Sequence, residues 1–122
     1  MTVLIDTSLL TGTATTGVGE SFAVSTVTVG ELKLGILLAD TPAMQAGREA
    51  RLAAILENAT VLPVEDAVAS QYAQLRAATG RLPTNDLWIA ATAVAHNLIL
   101  VTGDDRQSTL PGVRARYVPS NR

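Results

Sequence analysis

Short runs of β-branched and aliphatic residues alternate along the chain with longer stretches in which apolar positions recur every three or four residues. That is the pattern of a polypeptide building strands and helices by turns. Val3, Leu4 and Ile5 read as a buried strand ending at Asp6, and Phe22 to Val24 as a second. Thr60 to Leu62, closed by Pro63, read as a third, Leu98 to Val101 as a fourth and Val113 to Val118 as the last. Between the first two strands, TGTATTGVGE reads as a loop. Thr28 and Glu31 have capping-box spacing and predict a helix from there to about Asp40. A second helix opens at Pro42, with Met44, Leu52, Ile55 and Leu56 marking its apolar face. A third runs from Glu65 to about Thr79, with Val68, Tyr72 and Leu75 on one side and Gly80 as its stop. The fourth, Asp86 through His96, is apolar nearly all round and is therefore expected to be buried, with Asn97 as a left-handed cap.

Strands separated by helices predict an α/β fold with a mainly parallel sheet. A length of 122 residues without repeat or linker predicts a single domain over 1–122. In an open α/β sheet, ligands bind at the carboxyl edge of the strands. Asp6 and Asp104 each follow a strand, while Glu31 and Asp86 lie in first helical turns. A helix that follows a strand starts at that edge, so Asp6, Glu31 and Asp104 can gather there. Asp86 follows a helix and a loop, and the same rule does not place it.

Composition narrows the chemistry. Apolar residues make up 48% and charged ones 16%, which suits a packed core and excludes disorder. Aromatics at 3% exclude a nucleic-acid binder built on stacking rows. With a net charge of −2 and Lys33 as the sole lysine, the chain lacks a basic footprint, so a polyanionic substrate would need a bound cation to attract it. Without cysteine there is no disulfide and no thiolate site, and a cytoplasmic location is expected. The start MTVLIDTSLL has no basic region and carries Asp6 within its apolar stretch, unlike a signal peptide. No apolar run approaches the roughly 18 residues of a membrane span.

Taken singly, each acid has an ordinary structural reading: Glu31 as half of a capping box, Asp86 facing a helix dipole, Asp104 as a turn residue. Together they are harder to explain. Two carboxylates about 5 Å apart repel by roughly 3 kcal/mol at an effective dielectric near 20. Several in one pocket require protons or a cation, and a hard divalent ion with oxygen ligands neutralises them directly. Mg²⁺ takes one or two carboxylates and keeps its waters, ready to bind phosphate oxygens. Other catalytic schemes fit poorly. His96, the only histidine, falls about 15 Å along the helix from Asp86. There is no nucleophile elbow, P-loop or dinucleotide fingerprint. Trp88 reads as packing, and Arg76 and Arg81 as solvated charges. A signalling receiver would want paired acids after the first strand and a lysine after the last, and an aspartate-based phosphatase would want an acid where Ser8 stands.

The residues resemble a known family. LIDTSLL, with Asp6 followed by Thr7 and Ser8, looks like the opening of PIN-domain ribonucleases, above all the VapC toxins of VapBC toxin–antitoxin pairs. STVTVGELKLGI places Glu31 at that family's second acid. In YAQLRAATGRLPTNDLWIAATAVAHNLILVTGDD, Asp86 stands at the third and Asp104 at the fourth. The resemblance implies a three-layer α/β/α sandwich around a central, mainly parallel sheet. It implies an endoribonuclease dependent on Mg²⁺, with Mn²⁺ as substitute. It further implies a homodimer inhibited by a cognate VapB antitoxin, through which alone DNA would be contacted. Asp6 and Asp86 would be the principal metal ligands, with Glu31 and Asp104 completing the pocket and Thr7, Ser8 and Thr102 as polar neighbours. The chain departs from the family in a shorter, Gly- and Thr-rich 11–21 segment. It also reads Arg106-Gln107-Ser108 where many relatives carry an acid, which makes Asp105 a substitute for Asp104. The alternative is a PIN-like binding module that pairs with an antitoxin without turnover; the presence of all four acids argues against it.

Overall fold

The computed structural model describes residues 2–11 and 21–119, and the 12–20 part of the expected loop lies outside them. Alternation of side chains decides how the strands are used. In β1 (Val3–Ile5), Val3 and Ile5 join one apolar cluster and Leu4 the other. The same split separates Val24 from Ala23 in β2 (Phe22–Ser25) and Val101 from Leu100 in β4 (Ile99–Thr102). Each strand thus feeds both faces of the sheet, as period-two geometry requires, and both faces must be covered.

The cover on one side is α1 (Thr26–Leu37) and α2 (Pro42–Asn58), which bring Val29, Leu32 and Ile55 against Val3, Ile5, Val24 and Val101. On the other side, α3 (Asp66–Ala78) and α4 (Thr84–Ala95) bring Val68, Leu75, Leu87, Ile89, Ala90 and Ala93 against Leu4, Ala23 and Leu100. This is the expected three-layer α/β/α sandwich. Leu4, Ile5, Leu87, Ile89 and Leu100 are fully buried, each worth about 1.5–3 kcal/mol of apolar transfer. Trp88 packs as expected, stacked on Tyr72 with ring centroids 4.0 Å apart.

The remaining elements are β3 (Ala59–Leu62), the four-residue α5 (Asp105–Ser108) and β5 (Ala115–Tyr117). The sheet order is β3-β2-β1-β4-β5, and every pairing is parallel. The chain winds outward from β1 through β2 to β3, then returns to place β4 on the other side of β1. The β1/β4 boundary is therefore the point where strand order reverses, and a crevice opens beyond the carboxyl ends of strands at such a point.

Element boundaries differ from expectation, α4 opening at Thr84, two residues before Asp86. Ser25, not Thr28, caps α1: its hydroxyl accepts from the Val27 N–H at 3.0 Å. A small hydroxyl residue closing the strand satisfies the first orphan donors sooner, which places Thr28 and Glu31 inside the helix. Gly80 does not stop α3, since Thr79 already takes extended backbone at φ −144. Thr60 to Leu62 form a strand as expected, and Val61, at 40% exposure, lies on the edge of the sheet in β3.

Asn97 is left-handed as expected, at φ 57, and the Arg114 guanidinium donates to its backbone carbonyl at 3.0 Å and its side-chain oxygen at 2.8 Å. Asn97→Ala is expected to lower stability by about 1 kcal/mol in urea unfolding, because an alanine Cβ is strained in that region; Asn97→Gly should cost less.

Candidate active site

Asp6 emerges from β1 at the strand-order reversal and is 3% exposed. Its backbone N–H still pairs with the Val101 carbonyl at 2.9 Å, so β4 fixes its position. Oδ2 accepts from the Ser8 N–H at 3.0 Å and thereby caps the 3₁₀ turn Thr7–Leu9. Oδ1 accepts from Gln107 Nε2 at 3.1 Å, and the Thr102 hydroxyl lies 3.5 Å from Oδ2.

Glu31 reaches the same edge from the second turn of α1. The Thr7 hydroxyl donates to its Oε1 at 2.7 Å, and Asn85 Nδ2 to its Oε2 at 3.4 Å. Thr28, buried one turn earlier, sets its hydroxyl 2.9 Å from that of Thr7. Neighbours of Asp6 and Asp86 in sequence therefore draw Glu31 toward both. Asp104 caps α5, its Oδ1 accepting from the Arg106 N–H at 2.9 Å while Oδ2 pairs with the Arg106 guanidinium at 3.4 Å. The Thr102 hydroxyl accepts from the Asp104 N–H at 3.0 Å.

Asp86 occupies the first turn of α4, and Gln107 Nε2 donates to its backbone carbonyl at 3.0 Å. This bond settles what the sequence left open and places the head of α4 beside α5 at the carboxyl edge. The Asp86 side chain differs from the other three: among the described residues nothing donates a hydrogen bond to it. Its pKa is raised from 3.8 to about 6. Burial is the largest cause, followed by the negative fields of Asp6, Asp104 and Glu31, with Arg106 acting weakly the other way. The four acids thus share one electrostatic neighbourhood. Asp105 is exposed and does not contribute to that field.

Among the described residues, no three acidic side chains converge closely enough to ligate one ion as a set. The hydrogen bonds explain this: Thr7 and Asn85 hold Glu31, Arg106 holds Asp104, and Ser8 and Gln107 hold Asp6. What remains is a fixed Asp6 and an uncompensated, half-buried Asp86. Hard oxygen donors with an unmet negative charge suit a hard divalent cation, and Mg²⁺ commonly takes only one or two carboxylates beside its waters. His96 caps the far end of α4 and plays no part.

The PIN-domain family model matches residues 3–113 of the chain. The chain belongs to the PIN-domain family. It is 38% identical over 120 residues to ribonuclease VapC4 of Mycobacterium tuberculosis, covering 90% of the chain and 92% of that protein. It is 40% identical over 97 residues to ribonuclease VapC5 of the same organism, covering 76% and 71%. The VapBC-5 toxin–antitoxin crystal structure from Mycobacterium tuberculosis superposes with a TM-score of 0.81 at 34% identity, covering 98% of each chain.

In this PIN domain, Thr7, Ser8 and Thr102 stand at the site as expected. The sequence does not mark Gln107, Asn85 or Thr28 as residues of the site. Gln107 lies on a helix of four residues, too short to show a periodic face, and a glutamine flanked by arginine and serine reads as surface. Asn85 carried a usable signal in its adjacency to Asp86.

Proposed function

We propose that the chain acts as a single-domain endoribonuclease toxin whose hydrolysis of RNA depends on Mg²⁺, with Mn²⁺ as a substitute. Asp6 and Asp86 hold the cation, and Glu31 and Asp104 support them. The observation that carries this reading is the Asp86 carboxylate: raised to about 6 by burial and three acids, and accepting no hydrogen bond from the described residues. A carboxylate left in that condition is one awaiting a positive partner.

When bound, the cation supplies positive charge for a phosphate group and acidifies a water. The chain's own residues prepare the place. Ser8 and Gln107 hold Asp6 in one orientation. Thr7 keeps Glu31 at the rim, and Arg106 stands beside Asp104, its side chain 66% exposed and able to meet a backbone phosphate. A cation also lets a chain of net charge −2 approach a polyanion.

The ribonuclease names of VapC4 and VapC5 and the VapBC-5 toxin–antitoxin complex support RNA as substrate and a VapB-type antitoxin as the neutralising partner. Exposed Leu34, Leu37 and Leu38 at the end of α1, with Val61, Val64, Tyr117 and Val118 elsewhere, offer apolar surface for an antitoxin and a second copy in a homodimer. DNA contact falls to the antitoxin, since this chain carries no excess of positive charge. Among the described residues no helix is long and apolar enough to cross a membrane, and we place the protein in the cytoplasm.

End-labelled RNA incubated with the purified chain and Mg²⁺ should be cut, and a stoichiometric VapB-type antitoxin should stop it. Intact RNA with every divalent cation tried, from a folded protein, leaves the binding-module reading instead.

A further inference from the structure

The structure assigns Gln107 as the neutral positioning residue of the acid cluster, holding Asp6 and the first turn of α4 at a fixed separation. Its side chain is 0% exposed, and all of its main hydrogen-bonding capacity is used within the cluster. One Nε2 proton goes to Asp6 Oδ1 at 3.1 Å and the other to the Asp86 carbonyl at 3.0 Å. Oε1 accepts from the Thr102 hydroxyl at 2.6 Å.

These partners fix the amide's orientation. The two groups facing Nε2 are acceptors, and the group facing Oε1 is a hydroxyl with a proton to give; a flipped amide would set oxygen against a carboxylate. The Thr102 hydroxyl has one proton, which goes to Gln107, while its oxygen accepts from the Asp104 N–H at 3.0 Å. A continuous relay of hydrogen bonds therefore runs from Asp104 through Thr102 and Gln107 to Asp6 and the head of α4. One side chain ties together the ends of β1 and β4, the start of α4 and the helix α5.

Charge explains why this position is an amide. An acid here would add a fifth negative group and lose both donors. A lysine would neutralise Asp6 and compete with any cation for it. Glutamine supplies two donors and an acceptor at that reach without net charge, and a buried network satisfied in full is rigid.

This role rests on the cation-binding reading of the cluster. Groups that orient metal ligands typically change metal affinity 10–100-fold when removed. The test is Gln107→Met, near in size but unable to make these bonds, with Mn²⁺ affinity measured by calorimetry without RNA and thermal unfolding recorded alongside. Gln74→Met, on the exposed side of α3, serves as control. A folded Gln107→Met protein should bind Mn²⁺ about 10–100-fold more weakly, with the control unchanged. Affinity within about twofold of the unaltered protein overturns the positioning role alone. If the unaltered protein binds no Mn²⁺, the cation reading and this role fall together. Should Gln107→Met not fold, the Gln107 side-chain NH₂ resonances of the unaltered protein decide: a shift on adding Mg²⁺ supports the role, and unmoved resonances overturn it.

Discussion

Asp86→Asn is expected to lower RNA cleavage by about 10³-fold, or about 4 kcal/mol of lost transition-state stabilisation, while making the cation-free protein more stable at neutral pH. The two effects share one origin. Folding carries Asp86 into a half-buried place facing Asp6, Asp104 and Glu31, which raises its pKa from 3.8 to about 6. Between those values the folded state binds a proton that the unfolded state has released, so stability falls as pH rises through that window. Above about pH 6 the whole cost is present. A shift of this size corresponds to about 3 kcal/mol, and allowing for the solvent that still reaches the carboxylate leaves about 1–2 kcal/mol. The asparagine carries no charge and escapes that cost. Urea unfolding in EDTA at pH 7.5 and pH 4 measures it: the variant should gain at the higher pH and gain little at the lower. A variant less stable than the parent at both pH values would show that Asp86 is not under electrostatic strain. Near-normal cleavage by the variant would remove Asp86 from the cation site.

Chelation is expected to bring cleavage to background and Mg²⁺ or Mn²⁺ to restore it, with cation affinity falling about tenfold for each pH unit below about 6. The slope follows from the same carboxylate. A cation binds ionised Asp86, so below its pKa each binding event must expel a proton. Affinity is therefore level above pH 6 and declines below it. Calorimetry at pH 5, 6 and 7.5 in buffers of differing ionisation enthalpy measures both the affinity and the proton released. A flat profile across that range would exclude Asp86 as a ligand. In Asp86→Asn the remaining binding should be weak and its dependence on pH in this range greatly reduced.

The sequence was informative where a rule is local. Runs such as Val3–Ile5 and Leu98–Val101 announce buried strands, and an all-apolar helix after Asp86 announces its own burial, so the layers and the parallel sheet followed. Asp6 and Asp104 could be placed because one follows its strand at once and the other after a single glycine. Asp86 could not, since its position depends on how the α3–α4 pair folds back, which is tertiary information; the Gln107 bond to its carbonyl supplies it. The α1 boundary was misjudged because two overlapping cap signals compete, Ser25 and Thr28, and only the length of β2 decides between them. That the acids would act on one another's charge was legible; that, among the described residues, no three of them would meet at one point was not. That Glu31 and Asp6 would already be held by Thr7 and Gln107 was not, because those partners lie 24 and 101 positions away.

That separation has a consequence for the cell that makes the protein. Asp6 closes β1, yet the amide that steadies it belongs to α5, 101 positions further along, so translation delivers the acid well before its partner. A nascent chain without β4 and α5 lacks one wall of the cleft and the side chains that orient its acids. Harm to RNA should therefore be withheld until α5 has been made, which gives a co-translated antitoxin its interval to arrive.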